Sequence, residues 1–355
     1  MLLLFVLGGI GLILGAEMLV RGATRLAAAV GVTPLVIGLT VVSLSTSAPE
    51  IAISIDASLR QHADIALGNV VGSNIFNVLL ILGLVALIGP LVVAQRFLWW
   101  DVPLMTSVAV LLLLLSLDGT LGRLDGMVLC LCLIAYVWWA IQLSRRENRA
   151  IPEEYAEAYP PGPRRTARHM VTPFALISGG LALLVFGADW FVQGAVSIAF
   201  ALGISDLVVS LTIVAAGTSL PEVVVSVLAS YRGERDIAVG NVVGSCIFNI
   251  LAVLGIAAVT VPSGLTIPAA VLHFDIPVMI ATFVACLPIC MTGHRISRWE
   301  GGLFVGYYAA YTAYLVLEAT AHDVLPVFSW IMMVFVIPLT VVTLLIGGVR
   351  SYRQR

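Results

Sequence analysis

The first part of the chain is repeated in its second half, and this repeat constrains the fold more than any other feature. Residues 15–83 align without a gap with residues 187–255 at a constant offset of 172 positions, and about half of the aligned residues are identical. STSAPE at 45–50 aligns with GTSLPE at 217–222, and DIALGNVVGSNIFN at 64–77 aligns with DIAVGNVVGSCIFN at 236–249. The fold must therefore contain two copies of one unit.

The composition places both copies in a lipid bilayer. Hydrophobic residues make up 60% of the chain and charged residues only 11%, whereas soluble domains carry about 25% charged residues. A soluble binding module is excluded, and nothing indicates a nucleic-acid partner. Because a helix needs about 20 apolar residues to cross a bilayer, we expect eleven spans, at 2–29, 33–59, 65–89, 98–117, 123–143, 173–200, 206–231, 237–261, 273–292, 298–318 and 324–348.

A polar segment rich in Pro, Arg and Glu separates the two copies. The match between the copies also extends past the motifs, since DVPLM at 101–105 resembles DIPVM at 275–279. Each copy thus holds about five helices, and an odd number inverts the second copy in the membrane. The predicted fold is an all-α membrane protein with 10–11 transmembrane helices in two inverted five-helix repeats. The expected parts are a first repeat at 1–143, a linker at 144–172, a second repeat at 173–318, and an extra helix with a tail at 319–355.

The arginines predict the orientation of these spans. With the linker placed in the cytoplasm, the N-terminus lies outside, the C-terminus lies inside, and every arginine except Arg60 and Arg123 falls on the cytoplasmic side. Such an excess of positive charge on one side is typical of cytoplasmic loops. We therefore expect a multi-pass protein of the plasma membrane, which is the inner membrane in a bacterial cell.

Each copy carries one glutamate inside an apolar stretch, Glu50 in the first and Glu222 in the second. An ionisable residue within a transmembrane helix is costly and indicates a functional site. Pro49 and Pro221 should disrupt these helices and free backbone carbonyls. On the same helix face as each glutamate we expect Ser43, Thr46 and Ser47 in the first copy, and Ala215, Thr218 and Ser219 in the second.

The following span of each copy supplies polar residues at every fourth position. These residues are Asn69, Ser73 and Asn77 in the first copy, and Asn241, Ser245 and Asn249 in the second. Amides mirrored across the repeat beside buried carboxylates suggest one shared site. Carboxylate, hydroxyl and amide oxygens suit alkali and alkaline-earth cations. A further repeat pair, Glu17 and Asp189, fits either a gating or structural polar contact or a secondary ion route.

At these motifs the chain resembles the calcium/cation antiporter superfamily, in particular the bacterial calcium/sodium antiporters of the sodium/calcium exchanger family. The resemblance covers about residues 1–318. It implies Glu50 and Glu222 as the main ligands of a central cation site. It also implies supporting oxygens from Thr46, Ser47, Thr218 and Ser219, closure of the site by Ser73, Asn77, Ser245 and Asn249, and backbone carbonyls from Ser43 and Ala215.

Two positions depart from the family pattern. Ser45 stands where the family usually has glycine, which we expect to tighten or stiffen the local bend. Asn77 and Asn249 are both amides, whereas two aspartates here resemble the potassium-dependent exchangers. This difference weakens the case for K⁺ transport.

The expected function is alternating-access antiport, in which Ca²⁺ leaves the cytoplasm as Na⁺ enters, with sliding of the first and sixth spans implied by the resemblance. No cofactor is expected, since Ca²⁺ and Na⁺ are transported ions, and the sequence sets no oligomeric state. Ca²⁺/H⁺ exchange by the same fold stays open, because glutamates can take protons. A channel is disfavoured by the inverted repeat. An intramembrane enzyme is disfavoured because Ser47 and Ser219 lack a base that could activate them.

Overall fold

The computed structural model describes residues 1–92, 96–150, 167–203, 209–291 and 295–343, and it is almost entirely helical. The middle of the expected linker, 151–166, and the expected C-terminal tail at 344–355 lie outside the described residues. In chain order the helices are α1 Leu2–Val30, α2 Pro34–Thr46, α3 Ala48–Leu59, α4 Ala63–Ile88, α5 Phe97–Leu115, α6 Arg123–Ala150, α7 Ala167–Ala201, α8 Ser210–Val214 continued by Ala215–Gly217, α9 Leu220–Tyr231, α10 Arg235–Thr260, α11 Val271–Asp275 continued by Ile276–Met291, α12 Arg298–Ala319 and α13 Leu325–Thr343.

Most of the expected spans correspond to continuous helices. Within the described residues, eight helices are long and apolar enough to cross a membrane, and α2 with α3 forms a ninth span that bends by 45°. The other two expected spans are α12, a continuous helix of 22 residues, and the pair α8 and α9. The beginning of that pair, 206–208, is outside the described residues. The predicted all-α membrane fold is confirmed.

The two copies are related by an inverted symmetry that is visible in the short strands between helices. Strand β1 (Leu91–Val92) pairs antiparallel with β4 (Arg295–Ile296), and β2 (Thr120–Leu121) pairs with β3 (Leu265–Thr266). Each pair joins one loop from each copy. The two pairs lie at opposite ends of the helices, which an inverted repeat requires.

Contacts between loops identify the end of the molecule that carries the linker, here called the linker side. The backbone N–H of Thr33, between α1 and α2, donates to Ser144 Oγ near the linker end of α6 (2.8 Å). Arg298, at the start of α12, donates to the carbonyl of Ile88 at the end of α4. These connections and the β1–β4 pair therefore lie on the linker side, and the β2–β3 pair lies on the opposite side, called the far side.

Two helices form the centre of the bundle. The apolar stretch of α4 is 72% buried and that of α10 is 89% buried, more than in the six other continuous helices that are long and apolar enough to cross a membrane. Their small residues allow this close packing, because a Cβ on Gly240 would lie 2.7 Å from the carbonyl oxygen of Leu35 in α2. α13, by contrast, has no buried residue in its apolar stretch and contacts α12 through a hydrogen bond from Tyr307 to Thr340 (2.8 Å). The extra C-terminal helix is thus peripheral.

The first helix of each copy packs against the other along a face of glycines. A Cβ on Gly187 of α7 would lie 2.8 Å from the backbone nitrogen of Leu12 in α1, and a Cβ on Gly15 would lie 2.8 Å from the carbonyl oxygen of Gly180. Backbones can approach this closely only where side chains are absent. α1 and α7 therefore form a tightly packed pair in which backbone atoms make much of the contact.

Candidate cation site

The helix breaks at the two repeated glutamate motifs build the site. Ser47 ends α2 with φ −79° and ψ 5°, and Ser219 precedes α9 with φ −91° and ψ 8°. The next helix of each copy then starts with proline in its first turn, where the missing N–H costs no helical hydrogen bond. The predicted disruption is confirmed in both copies.

The same breaks place the glutamates at the beginnings of new helices. Glu50 is the third residue of α3, and Glu222 is the third residue of α9. The N-terminal end of a helix carries partial positive charge, which stabilises a carboxylate there. Because both carboxylates are fully buried, the helix ends partly replace the hydration that burial removes.

Hydroxyl groups from the opposite repeat surround each carboxylate. Ser219 Oγ donates to Glu50 Oε1 (3.2 Å) and also lies 3.1 Å from Ser73 Oγ of α4. In the equivalent place Thr46 and Ser47 lie beside Glu222. Each carboxylate therefore faces residues of the other copy, and the site lies at the interface between the repeats.

Amides on α4 and α10 brace these breaks. Thr46 Oγ1 donates to Asn241 Oδ1 (3.0 Å), and Asn241 Nδ2 donates to Ser226 Oγ of α9 (2.9 Å). The mirrored pairs are Thr218 with Asn69 (3.4 Å) and Asn69 with Ser54 of α3 (3.1 Å). Asn69 and Asn241 each use both ends of the amide, so they join the copies and hold the broken helices in place.

Other buried polar atoms near the two glutamates have no hydrogen-bond partner among the described residues. These atoms are Glu50 Oε2, both carboxylate oxygens of Glu222, Asn249 Oδ1, both side-chain atoms of Asn77, and Ser47 Oγ. An unsatisfied buried polar group costs about 1–3 kcal/mol, and more if it is charged. Six of these seven atoms are oxygens, and they come from residues at the two helix breaks and on the two central helices.

The expected site residues differ in how they are used. Asn77 and Asn249 each begin a π-helical turn, Asn77–Leu82 in α4 and Asn249–Leu254 in α10. Thr46 Oγ1 lies 3.4 Å from Ser245 Oγ, so Ser245 reaches the break of the other copy, as Ser73 does. Ala215 lies in α8, shortly before the second break.

Ser43 points its hydroxyl away from the carboxylates. Its Oγ donates to the carbonyl of Gly38 (2.6 Å) and lies 3.1 Å from the carbonyl oxygen of Asn241. The hydroxyl thus links α2 to the backbone of α10. Its carbonyl accepts the backbone N–H of Ser47 (2.9 Å), and Thr46 Oγ1 lies 3.3 Å from the same oxygen.

Sequence reasoning missed one residue that contacts the expected site, Asn74. Its side chain is fully buried, and its Oδ1 accepts a hydrogen bond from Asn249 Nδ2 (3.2 Å). A signal was present, because Asn74 aligns with Cys246 in an otherwise almost identical motif. The π-helical turns that begin at the two asparagines were missed as well, and we find no sequence signal for them.

The side chains at the two breaks bring together a set of hard oxygen atoms. Within the described residues no group of three or more His, Cys, Asp or Glu side chains could hold a resident metal ion. The two carboxylates and their neutral hydroxyl and amide neighbours instead provide hard ligands with a total charge of up to −2. Such ligands fit Na⁺ or Ca²⁺ better than transition metals.

Comparison with known proteins identifies the family. The family profile described as "Sodium/calcium exchanger protein" matches residues 1–142 and 172–317. This chain belongs to the sodium/calcium exchanger family. Solved structures of the sodium-calcium exchanger NCX_Mj superpose with a TM-score of 0.74 at 32% identity, covering 88% of this chain and 97% of that one.

Several known membrane proteins are similar to this chain over most of their length. The putative antiporter CaxA of Alkalimonas amylolytica is 39% identical, with 86% of this chain and 96% of that protein covered. The inner membrane protein YrbG of Escherichia coli is 36% identical (88% and 95% covered), and the sodium/calcium exchanger MaX1 of Methanosarcina acetivorans is 35% identical (88% and 97%). The chain is thus an exchanger-family antiporter of the membrane and not an enzyme.

Proposed function

We propose that this exchanger exports Ca²⁺ from the cytoplasm in exchange for Na⁺ by alternating access, with Glu50 and Glu222 as the principal ligands. The observation that carries the proposal is the group of buried oxygens without partners at the two helix breaks. A bound cation would satisfy these oxygens together. The names of MaX1 and NCX_Mj, which are sodium/calcium exchangers, support the same ions.

The remaining ligands follow from position. Ser47 and Asn77 offer side-chain oxygens from the first copy, and Asn249 offers Oδ1 from the second. Thr46, Thr218, Ser73, Ser219 and Ser245 supply hydroxyls around them, and Ser43 and Ala215 supply backbone carbonyls. In this proposal the transport unit consists of the repeats at 1–143 and 173–318, joined by the linker at 144–172, with 319–355 as an addition outside it.

The charge of the site explains why exchange would be coupled. Two ionised glutamates give −2, which one Ca²⁺ neutralises, as do Na⁺ ions in adjoining subsites or two protons. An uncompensated charge in a buried site is costly. The carrier should therefore change conformation when it is loaded and rarely when it is empty, and this obligation links the two ion flows.

The linker side should face the cytoplasm. Arginine is concentrated there, as in Arg21, Arg25, Arg232 and Arg235 around the ends of α1 and α9. Cytoplasmic loops of membrane proteins carry such an excess of positive charge. With this orientation the N-terminus lies outside the cell.

The conformation is more closed toward the linker side than toward the far side. Thr46, reached from the linker side along α2, is fully buried, whereas Thr218, reached from the far side along α8, is half-buried. α1 packs along α9 on the linker side, and the equivalent approach of α7 to α3 is much looser. We infer an outward-facing state in which the ion site is nearly occluded.

The test is Ca²⁺ flux in sealed vesicles that contain only this protein. A Na⁺ gradient at fixed pH should drive Ca²⁺ movement in the opposite direction. Movement driven only by a pH gradient without Na⁺ would instead assign Ca²⁺/H⁺ exchange to the same site. Movement that needs no counter-ion would indicate a channel and would refute antiport.

The ligand assignment has a matched control on α3. Glu50→Gln keeps the shape of the side chain but removes its charge, and it should abolish Ca²⁺ transport while the protein stays in the membrane. Asp56→Asn makes the same chemical change two turns further along the same helix, where the carboxylate is 62% exposed and pairs with Arg60. It should leave transport close to the unmodified rate. Full transport by Glu50→Gln would disprove the assignment.

A further inference from the structure

Asn74 connects the candidate ion site to a sulfur atom through a chain of two hydrogen bonds. Asn74 Nδ2 donates to Met279 Sδ of α11 (3.3 Å), and Asn74 Oδ1 accepts from Asn249 Nδ2 (3.2 Å). All three residues are buried. The chain ends at Asn249 Oδ1, which has no partner among the described residues.

The thioether of Met279 fixes the direction of this chain. A thioether sulfur can only accept a hydrogen bond, so the group that faces it must be the NH₂ of Asn74. Asn74 Oδ1 then faces Asn249, and Asn249 must turn its own NH₂ toward it. The oxygen of Asn249 is thereby directed away from Asn74, and a cation can be bound only by that oxygen, since the NH₂ end would repel it.

The second copy lacks this arrangement. The residue equivalent to Asn74 is Cys246, which lies beside Asn77, the equivalent of Asn249. A thiol is a weak donor and a weak acceptor. Cys246 Sγ also lies 3.8 Å from the carbonyl oxygen of Asn74. Among the described residues Asn77 therefore has no strong partner that selects one orientation of its amide, so the two mirrored amides of the site are not equivalent.

We propose that Asn74 is a positioning residue that fixes the amide of Asn249 with its oxygen toward the transported cation. Its effect on the ion passes through Asn249, and its own atoms are engaged by Met279 and Asn249. This inference rests on the proposed ion site. It assigns the two halves of that site different roles: the Asn249 half presents an oxygen at all times, and the Asn77 half adjusts to the ion that is bound.

The experiment measures the stabilisation of the purified full-length protein by Ca²⁺ alone, as a melting temperature against Ca²⁺ concentration. Asn74→Leu, similar in size but apolar, should raise the half-saturating Ca²⁺ concentration about five- to tenfold. The freed amide of Asn249 would then turn its NH₂ toward the unpartnered carboxylate oxygens most of the time, and the apparent affinity falls with the fraction of time that its oxygen faces the ion. Asn74→Cys introduces the residue that the second repeat has at this position, and it should raise the half-saturating Ca²⁺ concentration by a similar factor. This variant provides the test if the leucine variant does not fold. Cys246→Ala is the matched control and should change the half-saturating Ca²⁺ concentration by less than about twofold.

The same substitution made in an Asn249→Asp protein distinguishes a positioning role of Asn74 from a packing role. In Asn249→Asp the side chain presents an oxygen whichever way it rotates, so adding Asn74→Leu should no longer weaken Ca²⁺ binding. A packing role would lower the melting temperature without Ca²⁺ in both backgrounds and leave the half-saturating concentration unchanged, which would overturn the proposal. An equal loss of affinity in both backgrounds would overturn it too.

Failure of the underlying site would look different. If Ca²⁺ did not stabilise the unmodified protein at all, the proposed ion site itself would be wrong, and the role of Asn74 with it. If Ca²⁺ stabilised the unmodified protein and Asn74→Leu equally well at every concentration, the ion site would stand and only the positioning role would be refuted.

Discussion

Replacing Arg232 with glutamine should favour the conformation that is open on the linker side. Arg232 directly follows α9, and its Nη2 lies 2.8 Å from Oε1 of Glu17 in the middle of α1. This ion pair joins the two helices whose packing closes the linker side. Glu17 also binds Arg21 of its own helix (2.5 Å), so the arginine substitution breaks the link between helices without leaving the carboxylate unpaired.

The size of the effect follows from the exposure of the pair. The Glu17 side chain is 17% exposed and that of Arg232 is 51% exposed, so the pair is worth about 1 kcal/mol, near the upper end for accessible ion pairs. That free energy corresponds to about a fivefold change in the equilibrium between conformations. If the state open on the linker side is the minor one, its population rises fivefold, and the apparent affinity for an ion offered there rises by the same factor.

The assay is Ca²⁺ transport at varied Ca²⁺ concentration on the linker side of oriented vesicles. We expect the half-saturating concentration to fall about fivefold in Arg232→Gln. Arg60→Gln is the matched control, because Arg60 is the repeat equivalent but pairs with Asp56 inside its own helix (2.8 Å). An equal fall in both variants, or no fall in Arg232→Gln, would refute the idea that this ion pair holds the linker side closed.

Other perturbations test the packing and the site. Gly187→Ala places a methyl group 2.8 Å from the α1 backbone and should destabilise the protein by about 1–3 kcal/mol, whereas Gly9→Ala, with its nearest atom 3.8 Å away, should leave the melting temperature nearly unchanged. Ser219→Ala removes the donor to Glu50 and should raise the half-saturating Ca²⁺ concentration about tenfold in flux assays. Asn77→Asp adds a third carboxylate, so Ca²⁺ should bind more tightly while the maximal exchange rate falls, since one Ca²⁺ no longer neutralises the site.

The sequence predicts the scaffold of the site well because its causes are local. Proline two residues after Ser47 and Ser219 disrupts the helix at each break, and the glutamate that follows falls in the first turn of the next helix. Gapless alignment of the copies then requires the two breaks to have the same geometry. The bend between α2 and α3 and the burial of both glutamates follow from these facts without knowledge of distant contacts.

The details that the sequence could not predict depend on contacts between distant residues. The spacing of Ser43 places it on the face of Glu50, yet its hydroxyl turns to the backbone of α10 because Gly240 and Asn241 approach it closely. The orientation of the Asn249 amide likewise depends on a sulfur atom in another helix. Helical periodicity gives the face on which a side chain lies, but the rotamer and the hydrogen-bond partner depend on what packs against that face.

The positions where the two copies differ are where a preference for one conformation must be encoded, whereas the ion gradients set the direction of transport. If each copy adopts in one state the conformation that its partner has in the other, then residues shared by both copies, such as Glu50 and Glu222, serve both states equally. They give the site its charge but favour neither side. Equivalent positions that hold different residues in the two copies can favour one conformation. Two such pairs are Asn74 and Cys246 at the site, and Arg21 and Gln193 beside the ion pair of α1. In the second copy Gln193 donates to Asp189 (2.8 Å), and no ion pair joins Asp189 to Arg60 in the described residues. The ion pair that joins two helices on the linker side thus has no equivalent on the far side. This difference agrees with a linker side that is closed and a far side that is more loosely packed.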